Sequence, residues 1–246
     1  MVDVNSNGYT FGFAFVACVL ASLLLAGANL SLKDLQDRNV KTDKLRSVLV
    51  AAGFGTSTTP AQEVEEWFKE DIKVKVLETS TGLAAKDLSA DEYDPKKHPN
   101  YTLIYECIKA DQECSILPVE GKGLWGKMRG YVAVGNDNNS ILGLCFYDHI
   151  ETPGLGAEIT EPWFMENFKD NKKILKVEGD YSEANFKGVT LLKGVKASDK
   201  PKEQQAYYVD GISGATLTCN GVTEVMTTFL YENYGKYLSN RQRGIK

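Results

Sequence analysis

Histidine and cysteine are scarce in this 246-residue chain, two of the first and five of the second, and no Cys-x-x-Cys pair occurs. A zinc or iron–sulfur centre built by this chain alone is therefore not expected. No Walker loop is present, and no Gly-x-Gly-x-x-Gly follows a run read here as a strand, so NADH is not expected to bind to this chain. Seven prolines and an ordinary glycine content exclude collagen-like or low-complexity character, and no internal repeat is visible. A formal net charge of −5 offers no general attraction for nucleic acid.

Long apolar runs are absent too, with one exception. Val4 to Leu32 carries no charged residue, and Phe11 to Leu30 reaches the roughly 20 residues that cross a bilayer as a helix. Ala26-Gly27-Ala28 resembles a signal-peptide cleavage site, but Asp3 and the lack of Lys or Arg ahead of the run are wrong for a signal peptide. Segment 1–32 is therefore read as an N-terminal piece with a permanent transmembrane helix. Lys33, Arg38, Lys41, Lys44 and Arg46 follow it, and the positive-inside rule alone puts what comes next in the cytoplasm. From Leu32 to Val50 the apolar positions Leu32, Leu35, Leu45, Val48 and Leu49 continue a helix, so 33–58 reads as a stalk or docking helix and linker.

Residues 59–246 suffice for one substantial core. Thr59-Pro60 opens a short helix through Glu63, Val64, Trp67 and Phe68, with proline allowed in the first turn. Strand-like runs cover Ile72 to Leu77, Tyr101 to Ile108, Lys127 to Val134, Ile141 to Tyr147 and Lys173 to Val177, while Leu83 to Asn100 reads as polar linker. Asn136 to Asn139 is a hairpin turn, because Asn and Asp accept positive backbone torsions. The pattern is α+β. Cys107 and Cys114 fit either a disulfide outside the cytoplasm or two free buried thiols, since spacing does not establish bridge geometry.

The most informative stretch is Asp210-Gly211-Ile212-Ser213-Gly214-Ala215-Thr216. Its glycines permit conformations closed to other residues and let a large group approach. Val222, Val225, Met226, Phe229 and Leu230 recur at helical spacing, which places Thr216 to Gly221 at a helix N-terminus. Free amides and the helix dipole there stabilise a phosphate, with Ser213, Thr216 and Thr218 as hydroxyl donors. The alternative reading is an ordinary cap, with Thr218 or Asn220 bonding first-turn amides, and Cys219 packing beside it. His149 lacks the partners that catalysis or metal binding requires and is expected to hydrogen-bond within its loop.

An aspartate, two residues, Ser or Thr, then Gly-Ala-Thr resembles the FMN-binding domain family, in which a flavin transferase esterifies FMN's phosphate to the last threonine. The resemblance implies Thr216 as covalent acceptor and Asp210, Ser213, Gly214 and Ala215 as the recognition motif. Gly121-Lys122-Gly123-Leu124-Trp125-Gly126 and Glu151-Thr152-Pro153-Gly154-Leu155-Gly156 are similar to the same family's paired strands and flavin-side loop. By that likeness Glu151, Thr152, Leu155 and Trp125 become candidate flavin contacts; alternatively, Trp125 is a core aromatic and Pro153-Gly154 merely a turn.

Together with the N-terminal helix, these segments resemble the C-subunit family of sodium-translocating NADH:quinone oxidoreductases. The G-subunit family of ion-translocating ferredoxin:NAD oxidoreductases carries the same motif on a shorter domain. What this implies is a single transmembrane helix followed by one mixed α/β FMN-binding domain, 59–246, whose twisted sheet is flanked by helices. It further implies a bacterial inner-membrane protein, in contact with lipid, whose large domain lies outside the cytoplasm, against the charge count. The family function is electron relay through covalent FMN towards quinone, coupled to sodium transport. Other subunits bind NADH and quinone. A flavin-free, membrane-anchored interaction module is the reading left if FMN is never attached.

Overall fold

The computed structural model describes residues 6–108, 113–169 and 172–245, and the chain divides into two units, Met1–Asp43 and Lys44–Lys246. Asp3, and Val4 and Asn5 at the start of the uncharged stretch, lie outside the described residues. Helix α1, Asn7–Ala51, is unbroken over 45 residues. It includes an 18-residue window of mean hydropathy 2.3 with none of its residues buried. At about 1.5 Å per residue even 20 of these residues span the roughly 30 Å of a bilayer's hydrocarbon. Phe11, Leu24 and Leu30 stand fully out from it, the distribution expected of a helix whose apolar surface meets lipid.

The larger unit is built on a seven-stranded sheet in the order β2-β1-β3-β4-β5-β6-β7. Its strands are β1 Ile72–Glu78, β2 Leu83–Ala84, β3 Tyr101–Cys107, β4 Cys114–Lys122, β5 Lys127–Gly135, β6 Ser140–Asp148 and β7 Lys172–Lys173. Every neighbouring pair is antiparallel. The side chains alternate between two cores, as the two-residue pleat dictates. Cys114, Ile116, Tyr131, Ala133 and Cys145 belong to one, with Val48, Leu49, Ala51 and Ala52 of α1's last turns and Val64 of helix α2, Ala61–Asp71. Leu117, Val119, Met128, Val132, Val134, Leu144 and Phe146 belong to the other.

That second core is closed by one continuous helical segment made of α4 Thr216–Glu224, a π-helical turn Val225–Phe229 and α5 Leu230–Gln242. Val222, Val225, Met226, Leu230, Tyr234 and Leu238 from it are buried against the sheet. Tyr234 donates its hydroxyl to the Pro118 carbonyl at 2.6 Å, and Ser115 and Tyr237 share a hydrogen bond at 2.8 Å. The short helix α3, Pro162–Glu166, adds Phe164 to the same core. A separate parallel pair, β8 Thr190–Leu192 and β9 Tyr208–Asp210, leads directly into α4.

Several sequence expectations change here. β4 is missing from the strand-like runs, because Pro118 interrupts its pattern. Pairing with β3 covers only Cys114 to Ile116, so the missing Pro118 N–H costs no ladder bond, while β5 pairs along the whole strand. Of the run Lys173 to Val177 only Lys173 lies in a strand, the two-residue β7 that begins at Lys172. Beyond it the Asn139 carboxamide accepts the amides of Ile174 and Leu175 at 3.1 and 2.8 Å, taking the place of a strand partner. The stretch Leu83 to Asn100 begins with the two residues of β2. The Asn136 to Asn139 turn forms as expected, with Asn138 at φ 56°.

Gly121 to Gly126 does have the spacing Gly-x-Gly-x-x-Gly, and it begins in the last two residues of β4. It leads into β5 and not into a helix, so it has no helix N-terminus to receive a dinucleotide phosphate.

Helix α4 lies against the face of the sheet, where β4 ends and β5 begins, with almost no clearance. A Cβ on Gly221 would come within 2.0 Å of the Lys122 carbonyl oxygen and 2.9 Å of the Met128 methyl. Gly221→Ala is therefore expected to lower stability by about 1–3 kcal/mol, read as a fall in thermal midpoint of the purified full chain. An unchanged midpoint would contradict this packing.

Candidate functional site

β9 ends at Asp210, and the next five residues turn the chain into the first turn of α4, which starts at Thr216. Gly214 takes φ 75°, a left-handed conformation that costs a side chain free energy, and a Cβ there would approach Leu155 to 2.9 Å. Ala215 is buried beneath the turn, while Ser213, Gly214 and Thr216 are exposed. No side chain caps α4. Its first amides and the positive end of its dipole therefore face outward beside the Thr216 hydroxyl.

Neither expected cap, Thr218 or Asn220, bonds the first-turn amides. Thr218 is buried and donates its hydroxyl to Glu151 Oε2 at 2.5 Å. This removes Thr218 from the set of phosphate donors. Cys219 packs as expected, its sulfur accepting the Ile212 amide at 3.2 Å. Burial pushes its thiol pKa up, against the opposing positive charge of Lys193.

Glu151 collects further donors. The Leu124 amide reaches Oε2 at 3.1 Å and the Trp125 amide reaches Oε1 at 2.9 Å. Only 5% of the residue is exposed. Burial opposes charge on this carboxyl, but the Thr218 hydroxyl and the two amides outweigh it and hold its pKa below the usual carboxylate range. The Glu151 amide in turn donates to His149 Nδ1 at 3.2 Å, the loop role expected of that histidine. Glu151 thus binds protein, not the space in front of Thr216.

Trp125 is 63% exposed, which overturns the core-aromatic alternative, and its indole N–H donates to Thr152 Oγ1 at 2.9 Å. Leu124, Ile150, Leu155 and Leu217 are also exposed. Gly154, at φ 73°, makes the turn anticipated for Pro153-Gly154. The structure therefore brings the Gly121 to Gly126 loop, the Glu151 to Gly156 loop and the start of α4 to one place.

A cleft of about 440 Å³ opens at the same motif, lined by Asp210, Ser213, Gly214, Thr216, Lys193 and Lys196 among others. This volume lies in the ordinary range for small-ligand sites, about 300–1,000 Å³. The two lysines sit in a loop after β8 that sequence reasoning missed. A basic pair spaced around Gly194-Val195 directly after an apolar run was the available signal. Asp210 shapes this wall, since its Oδ1 accepts the Ala197 amide at 2.6 Å. Lys172 lies near Asp210 and donates to the carbonyls of Gln205 at 2.8 Å and Tyr208 at 2.6 Å. Burial lowers the Lys172 pKa, and Asp210 opposes that shift.

The donor set fits a flavin mononucleotide in chemical kind: uncapped helix amides, two ammonium groups and a hydroxyl for phosphate, and exposed apolar side chains nearby for a ring. Among the described residues no group of His, Cys, Asp and Glu could hold a metal.

Comparison with known proteins agrees with this donor set. Residues 123–230 match the FMN-binding domain family. Over 99% of its length the chain is 31% identical to 99% of the C-subunit of Na(+)-translocating NADH-quinone reductase from Pseudomonas aeruginosa. The chain belongs to this C-subunit family. Its Chlamydia muridarum member is 30% identical over 92% of this chain and 90% of its own. Among solved structures, the Parabacteroides distasonis C-subunit is 31% identical with a TM-score of 0.69, covering 85% of this chain and 97% of that one. NqrC of Shewanella oneidensis gives the same TM-score at 26% identity, covering 85% and 99%. As a member of the C-subunit family, the chain is a component of an oxidoreductase complex and carries an FMN-binding domain.

The Glu151 arrangement makes stability depend on pH. Because its pKa is depressed on folding, Glu151 contributes fully above the unfolded value of about 4.3 and loses that contribution as pH falls through the folded value. Glu151→Gln should cost about 1.5–3 kcal/mol at pH 7 and flatten the decline in thermal midpoint below about pH 4.3. Parallel midpoint-against-pH curves for the two proteins would contradict this assignment.

Proposed function

We propose that this protein is the electron-carrying C-subunit of a membrane sodium-pumping NADH:quinone oxidoreductase, and that it holds FMN through a phosphoester to Thr216. The observation that carries this reading is the exposed Thr216 hydroxyl at the uncapped start of α4, next to Lys193, Lys196 and the left-handed Gly214. Membership of the C-subunit family supports the complex, and the exposed apolar helix supports association with the membrane.

The residues divide the work. Attachment by a flavin transferase would form a bond from Thr216 Oγ1 to the flavin phosphorus of a flavin dinucleotide, break that donor's phosphoanhydride bond, and release a nucleoside monophosphate together with the hydroxyl proton. Lys193, Lys196 and the α4 amides then balance the charge of the phosphodiester. Ser213 offers a further hydroxyl donor, and Gly214-Ala215 keep the approach free of bulk. Asp210 acts through the Ala197 amide to hold the lysine loop in place. Trp125, Thr152 and Leu155 present mainly apolar surface for the ring, and Glu151 fixes the loops that carry them. When bound, FMN supplies reversible electron transfer between a donor and an acceptor carried by other subunits.

On this reading NADH and quinone are bound by other subunits of the complex. The domain 59–246 is read as lying outside the cytoplasm. A covalent tether suits that side, where no flavin pool replaces lost cofactor. The five basic residues after the apolar run point the other way, but long domains translocate regardless of such charges.

Coexpressed with an active transferase, the full chain is expected to gain roughly 440 Da on the Thr216 peptide and to stay yellow after denaturation. Thr216→Ala should lose the whole increment and quinone reduction by the complex. Covalent flavin persisting in Thr216→Ala would refute the linkage.

A further inference from the structure

Cys107 closes β3 and Cys114 opens β4, and the sheet register sets the two directly opposite each other. Opposed residues in an antiparallel pair have Cα atoms about 4.5–5.5 Å apart, inside the roughly 4.4–6.8 Å that a disulfide spans. Both side chains are buried in the same core beside Ile116, Tyr131 and Ala133. Their thiols interact, with a hydrogen bond from one to the other. The pair borders a cleft of about 380 Å³ that also contains Glu113, Tyr237 and Arg241.

The other cysteines differ. Cys18 lies on the apolar helix, Cys145 contacts the Phe146 carbonyl, and Cys219 is engaged with Ile212. Among the described residues no metal-binding group includes Cys107 or Cys114.

We propose that Cys107 and Cys114 are joined by a cross-strand disulfide in the protein as it matures. This rests on the extracytoplasmic placement of the domain argued above, because a reducing compartment would keep both thiols free. As the Sγ–Sγ bond forms, the two thiols give up two protons and two electrons. A disulfide-form oxidoreductase, or a small disulfide such as oxidised glutathione, accepts them and leaves as two thiols. Burial pushes the Cys114 thiol up to about 12, so the folded dithiol is a weak nucleophile at neutral pH. The bond therefore forms while the strands are pairing and still open to the oxidant. Once α1's last turns and α2 pack over it, the bridge is buried and is reduced only slowly. Six residues separate the two cysteines, so the bridge closes the β3–β4 connection.

The test uses the full chain in cells, quenched in acid, denatured without reductant, alkylated and mapped by mass spectrometry. The expected result is a linked Cys107–Cys114 peptide pair carrying no label, with Cys145 and Cys219 alkylated. After reduction both cysteines of the pair should take label, and the thermal midpoint of the native protein should drop by roughly 5–10 °C. The variant C107A/C114A, which leaves the flavin motif untouched, should melt at a temperature that does not respond to reductant. Label on both Cys107 and Cys114 before reduction would overturn the proposal. Protease added to intact spheroplasts then separates the causes: a digested domain means that the bridge alone fails, and a protected one means that the placement fails with it.

Discussion

The buried carboxylate of Glu151 is the constraint on which the site depends. It receives the amides of Leu124 and Trp125 and the hydroxyl of Thr218, and so ties the loop before β5, the loop after β6 and the first turn of α4. Each donor would be costly to leave unpaired at this depth, and a buried carboxylate without them would be costlier still. The three loops therefore form this geometry together. A Cβ at Gly123 would meet Glu151 Oε1 at 2.4 Å, and one at Gly156 would meet Thr218 Oγ1 at 2.6 Å, so two of the motif glycines exist to let the carboxylate in. Trp125 and Leu155 owe their positions to this buried group, although they themselves stand in the open.

The sheet and the helix behind it supply the rigid base. α4, its π turn and α5 cover one face of the sheet, and the approach of Gly221 to Lys122 fixes α4 along its axis. With the helix held, Thr216 is displayed at its start and cannot turn inward, because Ala215 and Cys219 are packed beneath. An exposed hydroxyl beside uncapped amides is thus a product of core packing some distance away. The π turn Val225–Phe229 sits where Gly188 presses on the Met226 carbonyl, which gives the irregularity a local packing partner.

A covalently attached cofactor, as proposed for this chain, needs a fixed attachment point and rigid surroundings. The proposed linkage to Thr216 meets the first need, and the Glu151 contacts and Gly221 packing meet the second. The lysine loop after β8, held by Asp210, adds the charge that a phosphodiester requires without bringing any residue suited to acid–base catalysis. The reaction chemistry belongs to the flavin and the protein contributes position, charge and apolar cover.

Much of this is legible in the residues: the uncharged run Val4 to Leu32, the hairpin turn at Asn136 to Asn139, and the motif Asp210 to Thr216 ahead of a helical repeat. Such features are local, since hydropathy, turn torsions and helix starts are set by neighbours in the chain. β4 is hidden because Pro118 reads as a strand breaker until the partial pairing with β3 is known. Lys193 and Lys196 are hidden because only the parallel pairing of β8 with β9 carries their loop to Thr216. Glu151 reads from its motif as a flavin contact, yet its carboxylate turns inward because Thr218 and two amides converge on it across the fold. The sequence by itself determined the long apolar N-terminal helix, the α+β class and the helix start at Thr216; the tertiary structure decided which polar groups face the proposed cofactor space, because burial and hydrogen-bond satisfaction depend on residues distant in the chain.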